Sequence, residues 1–333
     1  MQVSDKSEGK VSRRQFISTA TAALSVLPLH YGINVSGAII EKPNSNFGGV
    51  QIGAITYSWR SMPSTPQDII KYCVLAGISS IELMGNVAEE YVGIPSGPGR
   101  PPRGTVQSDE QRAAFKKASA EAAEERRKVR ASLPMGKYED LRKLFSDAGI
   151  NIHIVKFSPA AWSDEEIDYS FNAARALGAK GVCNEIGEEA CKRLAPFAEK
   201  HNMYAIFHQH AQPADPGFSF DKYLAYSPAI MLNFDVGHYF GSTGLHPNGI
   251  IERLHDRIIS LHLKDLTGPK STPPSTNRVW GKGETPLADV LKLIQKQKWP
   301  IYCDIELEYE VPPDSDAAKE VRKCVEYVKA ILV

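Results

Sequence analysis

The chain lacks an excess of either charge: 39 Lys and Arg stand against 39 Asp and Glu across 333 residues. That excludes a strongly basic nucleic-acid binder as the default reading. Cysteine is sparse, with Cys73, Cys183, Cys191, Cys303 and Cys324 showing no C-x-x-C spacing. This rules out a disulfide framework and leaves them as small apolar residues for the interior. No hydrophobic run is long enough for a stable membrane span. Nor does a Gly-x-Gly-x-x-Gly follow the first predicted strand, or a phosphate-cradling glycine loop occur elsewhere, so a dinucleotide or phosphate site has no support. What is present is a globular composition, 42% hydrophobic and 23% charged, sufficient for a real core.

Residues 1–38 follow an export pattern: Lys10, Arg13 and Arg14, a weakly apolar run over 16–28, then Ser36-Gly37-Ala38. The string Ser12-Arg13-Arg14-Gln15-Phe16-Ile17 resembles the twin-arginine signal of bacteria, a receptor-read address that carries folded proteins across the inner membrane. The expected destination is the periplasm, with the twin-arginine machinery as a partner. Residues 39–50 read as a linker.

From residue 51 onward the chain alternates short β-rich apolar runs with amphipathic stretches. Strands are predicted at 51–59, 79–85, 151–157, 181–187, 203–210, 229–236, 258–266 and 300–309. Helices are predicted near 66–76, 137–148, 164–177, 188–201, 219–226, 247–256, 286–298 and 315–331. Ser163, three residues before Glu166, and Pro286 are start signals. Eight βα units favour an α/β fold of the closed TIM (β/α)8 type over 51–333, a single domain of a kind that runs to about 250 residues. Residues 86–135 interrupt the rhythm after the second strand with a Gly/Pro-rich stretch and a charge-mixed run. The bland reading of that run is a solvated helix held by Glu/Arg pairs. Leaving the C-terminal end of a barrel strand, it is expected to act as a lid or a substrate-specificity element.

In such a barrel the last residues of each strand line the mouth, where polar groups are costly unless they meet a ligand or one another. Glu185, Asp235, His262 and Glu306 come from strands four, six, seven and eight and are expected to converge. Three converging carboxylates without a counter-charge repel, and a divalent cation removes that penalty. Oxygen-rich ligation with one imidazole points first to Mn²⁺, with Mg²⁺, Zn²⁺, Fe²⁺ and Co²⁺ as alternatives. The competing reading is a set of separate salt bridges.

Four segments carry a family resemblance: Phe234-Asp235-Val236-Gly237-His238, His262-Leu263-Lys264-Asp265, Trp280-Gly281-Lys282-Gly283-Glu284-Thr285-Pro286 and Ile305-Glu306-Leu307-Glu308-Tyr309. In this order and on these strands the chain resembles the sugar phosphate isomerase/epimerase family, the xylose-isomerase-like TIM barrels, in an exported branch. The resemblance implies a metal held by Glu, Asp, His and Glu and a sugar or sugar derivative as substrate. One departure stands out. The ketose 3-epimerase branch places its first metal-binding Glu on the fifth strand, where this chain reads Ile206-Phe207-His208-Gln209-His210. The comparable carboxylate is Glu185, one strand earlier, and His208 and His210 resemble the paired histidines of inosose-dehydratase-like and exported branches.

The expected chemistry is proton abstraction next to a carbonyl through a metal-stabilised enediolate, giving isomerisation or epimerisation. Glu185 and Glu306 are candidate ligand-bases and His208 a candidate acid/base. Substrate contacts are expected from His238, His210, Lys264, Glu82 and Trp280; for Lys264 the alternative is a salt bridge to Glu308 or Asp265. Lys156, on the third strand, is read as pointing to the mouth. Two other readings stay open: a lyase eliminating from a keto-sugar or keto-glycoside at the same site, and a non-catalytic periplasmic sugar-binding barrel. The partner is a small-molecule sugar rather than nucleic acid or a membrane, with assembly into a homo-oligomer left open.

Overall fold

Eight strands pair side by side, and the last closes onto the first. The computed structural model describes residues 42–99 and 105–333; the expected export segment, residues 1–38, lies outside them. The barrel strands are β1 (Val50–Ile55), β2 (Ser80–Met84), β3 (Asn151–Lys156), β4 (Gly181–Glu185), β5 (Tyr204–His208), β6 (Ile230–Asp235), β7 (Ile258–Leu263) and β8 (Tyr302–Ile305). Each pairs in parallel with its neighbours in chain order, and β8 pairs with β1 through Asp304 opposite Gly53. This is a closed (β/α)8 barrel, as expected. All eight predicted strands form, and trimming is greatest at the C-terminal ends, where the backbone leaves the sheet to build the mouth.

The helices are α1 (Pro66–Ala76), α2 (Gly85–Val92), α3 (Asp109–Ser132), α4 (Gly136–Asp147), α5 (Asp164–Ala176), α6 (Glu188–His201), α7 (Phe220–Leu224), α8 (Val236–Thr243), α9 (Asn248–Leu254), α10 (Leu287–Gln297) and α11 (Ala317–Leu332). Local chemistry sets their starts. Thr65 with Asp68, Ser108 with Gln111 and Ser163 with Glu166 each form a capping box at α1, α3 and α5. Pro286 precedes α10, where its missing N–H is no loss. None of the described helices is long and apolar enough to cross a membrane.

Two helices depart from the sequence reading. α2 follows β2 directly, and α8 begins where the sixth strand was expected to continue. At α8 the switch is made by Asp235, whose Oδ1 accepts the N–H of His238 at 2.7 Å, an N-cap at the last strand residue. Gly237 lets this turn sit against β7, since a Cβ there would stand 2.2 Å from Lys264 Cγ.

Within the insertion, α3 is a helix of 24 residues whose one buried side chain is Arg130. Arg130 pairs with Glu89 of α2 (Nε–Oε1 2.8 Å) and Glu166 of α5 (Nη1–Oε1 2.6 Å). Its guanidinium lies over the Trp162 ring, 3.7 Å from the centroid. These contacts fasten the C-terminal turn of α3 to the flank formed by α2 and α5.

The main core lies between strands and helices, where Phe145, Phe171, Phe207 and Phe234 are fully buried. Inside the barrel the filling is divided. One side is apolar, with Ile154, Cys183, Ile206, Met231 and Ile259 in contact. The other is polar: His153 bridges Ser80 Oγ (2.8 Å) and Asp304 Oδ2 (2.9 Å), Ser260 donates to Asp304, and His153 stacks on Tyr302. Gly53 makes room, because a Cβ there would stand 2.0 Å from Asp304 Oδ1. All five cysteines are buried free thiols.

Candidate metal centre

Strand register determines which polar side chains meet. Asp235 is opposite His262, His262 opposite Asp304, and His208 opposite Asn233. Side chains two residues apart on one strand share a face, so Lys264 extends the His262 side of β7 and Glu306 and Glu308 extend the Asp304 side of β8. The result is a buried cluster at the C-terminal mouth, where (β/α)8 barrels carry their chemistry.

His208, Asp235, His262 and Glu306 each offer one donor atom, and the four atoms lie within 4.8 Å of one another. His208 Nε2 is 3.2 Å from Asp235 Oδ2, and His262 Nδ1 is 3.9 Å from that oxygen and 2.8 Å from Glu306 Oε2. All four residues are buried. His262 Nδ1 and Glu306 Oε2 are close without the alignment of a hydrogen bond, and both are buried without a hydrogen-bond partner. An imidazole nitrogen without a hydrogen bond and a carboxylate oxygen held only by the ion pair with Lys264, 2.8 Å apart and beside Asp235 Oδ2, fit a cation among them. Two imidazoles with two carboxylates suit Zn²⁺, Fe²⁺ or Co²⁺ as well as Mn²⁺, a more nitrogen-rich set than the sequence reading assumed.

Supporting residues orient both histidines. His208 Nδ1 is 3.2 Å from Glu185 Oε2, so a proton on Nδ1 leaves Nε2 facing the centre. His262 Nε2 is 2.8 Å from Glu82 Oε2, which also accepts from Asn233 Nδ2 at 2.7 Å, leaving Nδ1 toward the centre. Gln209 clamps the end of β6, donating to the Asp235 carbonyl (2.7 Å) and accepting the Asp235 N–H (3.1 Å).

Cations at hand stabilise the carboxylates. Lys264 Nζ is 3.0 Å from Asp235 Oδ2, 2.7 Å from Glu306 Oε2, 2.7 Å from Glu308 Oε2 and 3.0 Å from His238 Nε2. Burial works against the ionised forms of Asp235 and Glu306, yet Lys264, with His238 beside the first and His262 beside the second, holds both well below the usual carboxylate range. Burial likewise opposes the charge on Glu82, but His262 draws it down to about 2. The same carboxylates act in return: against burial, Glu306 and Glu82 raise His262 well above an ordinary imidazole. For His210, burial and then the neighbouring His208 push the pKa down.

Of the four expected ligands, Asp235, His262 and Glu306 come together, and His208 stands where Glu185 was expected. Glu185 belongs to an adjacent group with His208 and His210. It is held by Lys156 Nζ (2.6 Å), His208 Nδ1 (3.2 Å) and His210 Nδ1 (3.3 Å), with 42% of its side chain exposed to the mouth. The cause is topological: β5 lies between β4 and β6, so a β5 side chain reaches Asp235 before one from β4. Lys156 points to the mouth as read.

His238 and His210 also line the mouth, the first on the opening turn of α8. Lys264 forms the Glu308 salt bridge read as its alternative and adds three contacts, to Asp235, Glu306 and His238. Glu82, expected to contact substrate, is fully buried behind His262. Trp280 is also displaced from its expected place: it is buried in the core with its ring edge-on to Tyr327 of α11. Gly281, at φ +79°, turns the chain there, and Asp265 accepts the N–H groups of Gly281, Gly283 and Thr285, pinning the loop inward. Asn233 and Gln209 were missed. Asn233 had a signal, since it precedes Asp235 by one strand period.

The family model described as xylose isomerase-like TIM barrel matches residues 90–329. The chain belongs to this family. Among solved structures, it is similar to a xylose isomerase domain protein from Alicyclobacillus acidocaldarius (12% identity, 85% of this chain and 99% of that one, TM-score 0.58). It is also similar to a sugar phosphate isomerase/epimerase from Parabacteroides distasonis (16%, 92% and 100%, TM-score 0.54). A third is the probable 3-DHS dehydratase AsbF of Bacillus anthracis (13%, 84% and 98%, TM-score 0.57). At these identities the likeness is one of fold. No curated protein matches the chain.

Proposed function

We propose that this xylose isomerase-like barrel is a divalent-metal-dependent isomerase or epimerase of an unphosphorylated sugar or sugar derivative. The observation that carries the reading is the meeting of His208, Asp235, His262 and Glu306 within 4.8 Å, with the half-exposed Glu185 beside them. When bound there, a divalent ion supplies polarisation of a substrate carbonyl, which acidifies the adjacent C–H. The chain's own residues do the rest. Glu185, kept ionised against partial burial by His208 and Lys156, is the base that takes the carbon-bound proton; His210, 3.3 Å from it, can relay that proton. His238 and Lys264 are positioned to hold substrate oxygens. Return of the proton to the neighbouring carbon isomerises, and return to the opposite face epimerises.

The substrate charge follows from the mouth. Glu185, Asp235, Glu306 and Glu308 outnumber Lys156 and Lys264, and both lysines are engaged with these carboxylates. With the dication counted the mouth is close to neutral, so it holds no surplus positive charge for a phosphate dianion and suits a neutral polyol. Export by residues 1–38 to the periplasm, part of the same proposal, agrees with an unphosphorylated substrate.

A second reading, elimination from a keto-sugar, uses the same proton abstraction and is favoured by His210, half exposed beside the base and free to hand a proton to a departing oxygen. Incubation of the metal-loaded protein with free ketoses and 3-keto-glycosides in D₂O separates them. Deuterium entering a retained carbon skeleton supports the first reading, and release of a leaving group the second. No exchange and no release, with the ligand still raising the melting temperature, would reduce the protein to a sugar-binding barrel.

A further inference from the structure

Lys264 raises a question of charge that the ligand set leaves open. Its Nζ touches Asp235 Oδ2 and Glu306 Oε2, the same two oxygens on which His208 Nε2 and His262 Nδ1 converge. An ammonium 2.7 to 3.0 Å from both oxygens and a dication bound to those oxygens would stand within a few ångströms of each other. In so dry a site that repulsion is large. The lysine already has a second place to go: Glu308 Oε2 at 2.7 Å and His238 Nε2 at 3.0 Å, both nearer solvent. Glu308 already holds this ammonium, approaches His238 at 3.7 Å and makes no contact with Asp235, His208 or His262 among the described ion pairs, so its carboxylate can keep the ammonium when the other two oxygens are taken. Gly237 leaves room for the Lys264 stem, since a Cβ there would stand 2.2 Å from Lys264 Cγ.

We propose that Lys264 is a resident counter-cation of the ligand oxygens, which the divalent ion displaces toward Glu308 and His238. The proposal rests on the metal-binding reading above. It has two consequences. The site stays charge-balanced and folded without an ion, and the displaced ammonium arrives at the mouth, where it can hold a substrate oxygen only in the loaded protein. Lys264 therefore competes with the ion, and Glu308 assists it.

The test is Co²⁺ titration of the chelator-treated full chain, followed by visible absorption, with thermal melting beside it. Lys264→Met is expected to bind Co²⁺ about tenfold or more tightly, the range for removing a close buried charge contact. Its ion-free form is expected to melt below ion-free wild type. Glu308→Gln, at a partly exposed position that leaves the fold intact, is expected to weaken binding about two- to fivefold. In the double variant the Glu308→Gln effect should vanish, because no ammonium remains to be received. Additive effects would overturn the proposal, reducing Lys264 to a background charge, as would Co²⁺ affinity unchanged or weakened in Lys264→Met. Should Lys264→Met fail to fold, Glu308→Gln alone decides: unchanged affinity refutes the hand-over. A wild-type chain that takes up no Co²⁺, Mn²⁺ or Zn²⁺ refutes the metal reading together with this one.

Discussion

The barrel mouth and helix α3 are both rich in ion pairs, and burial separates what those pairs do. Along α3, Arg112 with Asp109, Arg127 with Glu124 and Lys128 with Glu124 sit on a surface open to water, where such pairs contribute little. At the mouth, Asp235, Glu306 and Lys264 make the same kind of contact in a dry interior. There the charges cannot be left unpaired, so each carboxylate is both costly and positioned. One helix residue crosses the divide. Arg130 is as buried as the mouth residues and holds two carboxylates, so it tests whether burial or location makes the difference.

The largest effect is expected at the centre. Asp235→Ala removes a proposed ligand oxygen, the α8 cap and a Lys264 partner together, and should lower metal affinity about 1000-fold, more than the about 100-fold upper range for a supporting residue, as read by Co²⁺ or Zn²⁺ titration. Arg130→Ala comes next: it strands Glu89 and Glu166 and should cost about 3 kcal/mol in urea unfolding, near the lower end for a broken buried pair because both acids keep some exposure. Should Arg130→Ala be silent, burial would not be what separates the two regions. Glu82→Gln follows, with metal affinity falling about 10- to 100-fold while the fold persists, since in the proposed site this carboxylate orients His262 from behind. The smallest is Glu124→Ala, for which no measurable change in melting temperature is expected, and a clear drop would show that the exposed α3 pairs matter after all.

The same contrast explains what could be read from the residues alone. The eight strands were legible because each is a short apolar run ending in polar residues, and Asp304-Ile305-Glu306-Leu307-Glu308 shows its inward face by strict alternation. Asp235, His262 and Glu306 were legible for the same reason. Glu185 and His208 were not separable, because choosing between them needs the stagger of β4, β5 and β6, which no single strand encodes. The helix that carries His238 was not legible, since it is announced by Asp235 alone, a residue equally at home as a strand end. Trp280 misled because loop tryptophans at a mouth and in a core look alike until the turn at Gly281 is known. For α3 the absence of an apolar stripe correctly indicated a solvated helix, while the anchoring role of Arg130 depends on Glu89, Glu166 and Trp162, each distant in sequence.

The account depends most on which side chains hold the ion. Metal content after loading with Mn²⁺ or Zn²⁺ and desalting, compared for wild type, His208→Ala and Glu185→Gln, tests this directly. The prediction is stoichiometric metal in wild type and Glu185→Gln, with catalytic loss in the latter, and little metal in His208→Ala. Metal retained by His208→Ala and lost from Glu185→Gln would contradict it.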